Sequence, residues 1–185
     1  MAIEMLIQSI ERLWQQVADL NRPVVESRVP GISASEIEAV FQGPVPEDIA
    51  VWFGWSNGVE YRSGQVQDDA ALVPGYEPLS LREAMGMRES YEIGDPVLGD
   101  FFTPLLATGG GDFYAAVYDA SSRSPKVAHA MIGGESGFVY ESIEAMVNAF
   151  CDFYRTGIFF VSDQGILEAD DDRWVEAESQ SGSTA

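Results

Sequence analysis

Residues 101–119 read FFTPLLATGGGDFYAAVYD, and this stretch decides the fold class. Phe101–Ala107 is apolar, Thr108-Gly109-Gly110-Gly111 punctuates it, and Asp112–Asp119 is again rich in aromatic and small apolar residues. That order predicts strand, turn, strand. Ser121–Pro125 reads as the next turn, and further strands are expected at Val127–Ile132 and Phe138–Tyr140, with Gly133-Gly134-Glu135-Ser136-Gly137 between them.

Helices flank this β-rich block on both sides in sequence. Upstream, Ile3, Leu6, Ile7, Ile10, Leu13, Trp14, Val17 and Leu20 recur at helical spacing, which predicts an amphipathic helix over 3–20. Asn21–Pro30 is a connector. Ser33 and Glu36 have the spacing of a capping box and open a short helix ending at Gly43. Pro46, expected as a first helical residue, and the acids Glu47 and Asp48 start another helix. That helix carries Ile49, Trp52, Phe53 and Trp55 and should stop at Asn57-Gly58. Val59–Leu72 fixes no strand boundaries. Ser80 and Glu83 repeat the capping-box spacing and open a helix over about 81–91, and Gly94-Asp95-Pro96 closes that stretch. Downstream, Ile143, Met146, Val147, Phe150 and Tyr154 predict a helix over about 142–156 with Gly157 as its stop, and Ile158–Val161 an edge strand.

The charge is lopsided. The 185 residues hold 30 acids and 10 bases, a formal net charge of −20. Fifteen acids against Arg62, Arg82 and Arg88 fall within 36–119, and seven acids against Arg173 within 163–185. With Lys126 as the single lysine, no basic stripe for direct nucleic-acid binding can form. Anionic lipid would repel the surface for the same reason, and no apolar run reaches the length of a bilayer span. Cys151 is the only cysteine, so an internal disulfide is excluded, and no Cys/His set can build a structural zinc site. A cytoplasmic protein without a cofactor is expected. A net charge of this size either confers solubility or steers a basic partner, and steering is the favoured account.

His129 lies in an alternating strand and reads as a strand histidine rather than a catalytic base. Gly134-Glu135-Ser136-Gly137 approaches a nucleophile elbow, but its last glycine comes one place early. Thr108–Asp112 fits a hairpin turn better than a phosphate cradle, since no Lys or Arg follows. Asp170-Asp171-Asp172 with Glu168 lacks the alternating oxygens of an EF-hand loop and reads as charged tail. Cys151, beside Ala149, Phe150 and Phe153, reads as a core residue, and Trp52 and Trp55 as core first and binding pocket second. No enzymatic activity is expected.

The order of several weak elements carries more than any one of them. Pro30-Gly31-Ile32-Ser33-Ala34-Ser35-Glu36-Ile37-Glu38-Ala39-Val40-Phe41 precedes Val45-Pro46-Glu47-Asp48 and Ser56-Asn57-Gly58. Then come Leu79-Ser80-Leu81-Arg82-Glu83-Ala84, Phe102-Thr103-Pro104-Leu105 with Gly110-Gly111-Asp112, and Ser142-Ile143-Glu144-Ala145-Met146. Over about 28–156 this succession resembles the SUKH superfamily, which includes fungal cell-wall and glucan-synthesis regulators and bacterial toxin-immunity proteins. Val45 stands where the family usually has Leu, Phe102 where Trp is common, and Asp68–Pro78 has no counterpart.

The resemblance implies a single α+β domain, residues 1–162, with a central, mainly antiparallel sheet flanked by helices. Residues 163–185 are expected as an acidic, flexible tail. The resemblance also implies an intracellular immunity or inhibitor protein that neutralises a basic toxin domain, a nuclease for instance, by stoichiometric binding. The alternative is a general interaction regulator or scaffold of the cell-wall-assembly-regulator type. Candidate partner contacts are acids in or near expected loops: Asp68, Asp69, Glu77, Asp95, Asp112 and Glu135. Asp112 serves equally well as a cap of the glycine turn. Pro46, Asn57, Gly58, Pro104 and Gly111 match family motifs and are expected to shape backbone.

Overall fold

The structure, a computed structural model, describes residues 2–41, 44–91, 94–119 and 124–182. The expected helix stop at Gly43 and most of the Ser121–Pro125 turn lie outside these residues. The fold is α+β. Its centre is a five-stranded antiparallel sheet whose order is β3 (Glu77–Pro78), β4 (Phe102–Ala107), β5 (Phe113–Val117), β6 (Lys126–Ala130) and β7 (Gly137–Tyr140). The glycine turn after β4 makes the first hairpin, with Phe102 opposite Val117 and Ala107 opposite Phe113. Every residue of β4 is buried, including Pro104, beside which the β4–β5 register shifts. Proline has no N–H to offer the ladder, and an irregularity at such a residue is a common solution.

Alternation along the strands sorts the two faces. Phe102 and Phe113 stack at 6.2 Å on one side, against Tyr91 at the end of α6 (Leu81–Ser90). Tyr114 and Tyr140 face the other side, where Phe150 of α7 (Ile143–Thr156) meets both rings edge-on. Behind α7 lies α1 (Ala2–Asp19), which buries Leu6, Ile10, Leu13 and Val17 at alternating spacings of four and three. These are four of the eight apolar residues of the expected stripe; Ile3 and Trp14 are half-buried, and Ile7 and Leu20 stand exposed.

The helix signals translate closely into caps. Ser80 Oγ accepts from the Glu83 N–H at 3.2 Å while Glu83 Oε2 accepts from the Ser80 N–H at 2.8 Å, a closed capping box for α6. Ser33 and Glu36 make the same exchange ahead of α3 (Ala34–Phe41). Ser142 caps α7, and Gly157 ends it in the left-handed region at φ 72°. Pro46 is the N-cap residue of α4 (Glu47–Trp55), one place before the first helical position expected for it.

Three expectations are corrected. The helix carrying Trp52 does not run to Asn57-Gly58. It ends at Trp55, and Ser56–Val59 forms β2, paired antiparallel with β1 (Arg28–Pro30) inside the expected connector, where α2 (Val24–Ser27) also forms. Gly31, just after β1, lies so near α4 that a Cβ on it would stand 1.9 Å from the Gly54 carbonyl oxygen. Next to it the Ile32 N–H donates to the Phe53 carbonyl at 3.0 Å, which ties this segment to α4. Second, Ile158–Val161 does not extend the main sheet. Phe159–Val161 is β8, which pairs with β9 (Leu167–Ala169) in a separate ribbon.

Third, residues 163–182 do not form a flexible tail. They supply β9 and α8 (Asp171–Gly182), a helix of 12 residues lying against β7. Asp170 caps α8, its Oδ1 accepting from the Arg173 N–H at 3.2 Å, and Asp171 and Asp172 occupy the first turn, where the helix dipole favours acids. Trp174 packs edge-on against Phe159 at 4.8 Å. The charged composition hid a one-sided helix: Trp174, Ala177, Glu178 and Ser181, at steps of three, one and three, are its partly buried positions. Among the described residues, no helix is long and apolar enough to cross a membrane.

Candidate partner-binding surface

The six acids proposed as contacts are scattered, and five are engaged within the chain. Asp68, in α5 (Gln67–Ala70) rather than a loop, pairs with the buried Arg22 at 2.6 Å and accepts from the Leu167 N–H at 3.0 Å. Arg22 also donates to the Gly165 carbonyl, so this pair ties the end of α1 to the β8–β9 turn. Asp69 accepts from the Val66 N–H and starts α5. Glu77, in β3, accepts a short hydrogen bond from the exposed Tyr61 hydroxyl, and burial pushes its carboxyl above the ordinary range.

Asp95 is the hub of a turn. Its Oδ1 accepts from the Val97 and Leu98 N–H groups, and its Oδ2 from Ser136 Oγ at 2.7 Å. Burial alone would raise its carboxyl, but these donors outweigh that and hold it low. Asp112 meets the glycine turn through its backbone, its N–H donating to Thr108 Oγ1, while its Oδ1 accepts from the Ile132 N–H at 2.8 Å. Glu135 stands exposed between β6 and β7.

The motif residues meet backbone. Asn57 Oδ1 accepts from the Leu81 N–H at 2.9 Å and so joins β2 to the start of α6. Gly58, at φ 86°, presses on the same place, where a Cβ would lie 2.7 Å from the Ser80 nitrogen. Gly111 is the left-handed residue of the hairpin turn at φ 96°. Trp52 is buried. Trp55 is half-buried, met edge-on by Trp14 at 5.6 Å, with the Arg28 guanidinium 5.1 Å from the Trp14 ring centre and 5.7 Å from that of Trp55.

What sequence reasoning missed is a cavity of about 540 Å³ between α8 and the β5–β7 face of the sheet. Tyr76, Tyr114, His129 and Trp174 form its deeper wall, and Met131, Phe138 and Val175 its exposed rim. His129 lies over Tyr114 at 4.6 Å and exchanges a 2.7 Å hydrogen bond with the Tyr76 hydroxyl. Burial lowers the His129 pKa, partly offset by the carboxylates of Glu178 and Asp112. Glu178 is the organising charge: its Oε1 accepts from both Tyr114 and Tyr140 hydroxyls, at 2.7 and 2.6 Å. Burial and that carboxylate together raise both phenols well above their usual range, so they remain donors.

Compared with known proteins, the sequence matches no family model and no curated protein. The site is therefore argued from its own atoms. Cys151 is buried among helix residues with its thiol pushed up by burial, which suits packing rather than nucleophilic attack. Among the described residues no group of three or more His, Cys, Asp or Glu side chains is placed to hold a metal. An aromatic cavity with one carboxylate, set in a strongly negative surface, is chemistry for holding a cationic group.

Proposed function

We propose that this chain is an intracellular immunity or inhibitor protein, holding a basic toxin domain by stoichiometric contact without a cofactor. The observation that carries the reading is the surface charge. Nineteen of the described acids are exposed, against five arginines. Three of those arginines, Arg62, Arg155 and Arg173, already sit beside Glu60, Asp152 and Asp170. A toxin that acts on nucleic acid must be basic where it meets phosphate, and a negative protein competes for that same surface. The SUKH resemblance supports the same reading.

The test is a tagged pull-down at low salt, eluted by a salt gradient, followed by an activity assay of whatever basic domain is recovered. One basic partner at equal stoichiometry, silenced by this protein, is the expected result. Several unrelated, weakly held partners would instead establish a regulator or scaffold, and turnover of a substrate abolished by a single carboxylate substitution would establish an enzyme.

A further inference from the structure

We propose that the cavity under α8 receives an arginine side chain of the basic partner, its guanidinium stacked on the aromatic wall and paired with Glu178. This rests on the reading above for the partner's charge, but the cavity can be tested without the partner.

Three features of the cavity favour a cation on an apolar stem. Its rim of Met131, Phe138 and Val175 is exposed and apolar, between 43% and 65% accessible, and would take up a methylene stem. Its wall is lined by the rings of His129, Trp174 and Tyr76, and aromatic rings attract a flat cation. Its charge is negative. Both tyrosine hydroxyls reach the same oxygen of Glu178, Oε1, which leaves Oε2 for a further donor. Asp112 adds to the field, since its charge and that of Glu178 both act on Tyr76 and His129. Among the described residues, no Lys or Arg lines the cavity.

Arginine fits better than lysine. A guanidinium is planar and weakly hydrated, so it can stack on a ring and still donate in plane to a carboxylate, whereas an ammonium is a strongly hydrated point charge. The protein itself sets guanidinium groups against aromatic rings, Arg28 beside Trp14 and Trp55 and Arg88 over Phe102. The cavity is also larger than one side chain needs, which leaves room for the residue beside the arginine.

The probe is Nα-acetyl-arginine methylamide, titrated into the full chain at low salt beside its citrulline and lysine counterparts. The Trp174 indole and His129 ring resonances report on binding. Saturable shifts are expected with the arginine compound, and binding about tenfold weaker or worse with the other two. In Glu178→Gln the preference for arginine over citrulline should fall by about tenfold. Because Glu178 also braces two tyrosines, a second variant guards against misfolding: Val175→Trp alters a rim residue that is 65% exposed and should block the probe while the melting curve stays in place. Equal response to citrulline and arginine, or full binding to Val175→Trp, would overturn the proposal. So would a toxin neutralised equally by wild type and Val175→Trp with no response to the probe; that result leaves the antidote reading intact. Arginine-specific shifts without any toxin ever recovered would do the reverse.

Discussion

Asp68 stands in a different role once its neighbours are known. From the sequence it is one of two adjacent acids in a polar stretch, suited to meeting a partner. In the fold it neutralises Arg22, whose side chain is 3% exposed. Replacing Asp68 by Ala leaves a buried guanidinium without its counter-charge and a Leu167 N–H without its acceptor. A loss of about 3–5 kcal/mol is expected in urea unfolding. A loss below about 1 kcal/mol, the scale of an exposed ion pair, would show that the guanidinium finds water instead.

His129 carries a signed pH dependence. The unfolded chain takes up its proton near the ordinary value of 6.5, while burial lowers the folded value. Between those two values the unfolded state binds more protons, so stability is complete above 6.5 and is lost as the pH falls through the window below it. Urea midpoints measured from pH 7.5 down to 5 should fall, and His129→Gln should flatten the upper part of that slope. A slope unchanged in the variant would assign it to another group.

Elements were legible where local signals carried them. Both capping boxes, the Gly157 stop and the four buried positions of α1 are legible because each is a pattern within one short stretch of sequence. The hairpin after β4 was legible for the same reason. Of the separate ribbon, β8 was legible as a strand but its partner β9 was not, because a strand of three residues carries too little pattern to register. Nor was α8, whose acids mask a single buried edge.

Cutting the chain after Ala169 would separate these accounts. A flexible tail would leave the melting temperature where it was. Removal of α8 takes Glu178 from two buried tyrosines and Trp174 from Phe159, so the melting temperature should drop by several degrees. Trp174→Ala alone should cost about 2–4 kcal/mol, below the range for a fully buried ring because Trp174 keeps partial exposure.

At the scale of the whole molecule the charge dominates. The candidate contacts named from the sequence were chosen by position in expected loops, yet loops are where this chain uses carboxylates to satisfy backbone N–H groups, as Asp95 and Asp112 do. The negative surface is a sum over many exposed acids, so no single one marks it. Association with a basic partner should accordingly slow by about tenfold or more between low and high salt, with dissociation much less affected. Stopped-flow mixing at several ionic strengths reads both rates. The cavity, by contrast, draws its residues from β5, β6, β7, α8 and the turn at Tyr76, which only the folded chain brings together.

The late position of α8 also bears on how the protein is made. Synthesis delivers the whole five-stranded sheet, then α7, and only afterwards the helix that shields Tyr114 and Tyr140. A chain paused on the ribosome before Asp171 therefore displays an aromatic surface to its surroundings. Exposed apolar surface of this kind makes such an intermediate more prone to aggregate than the folded molecule.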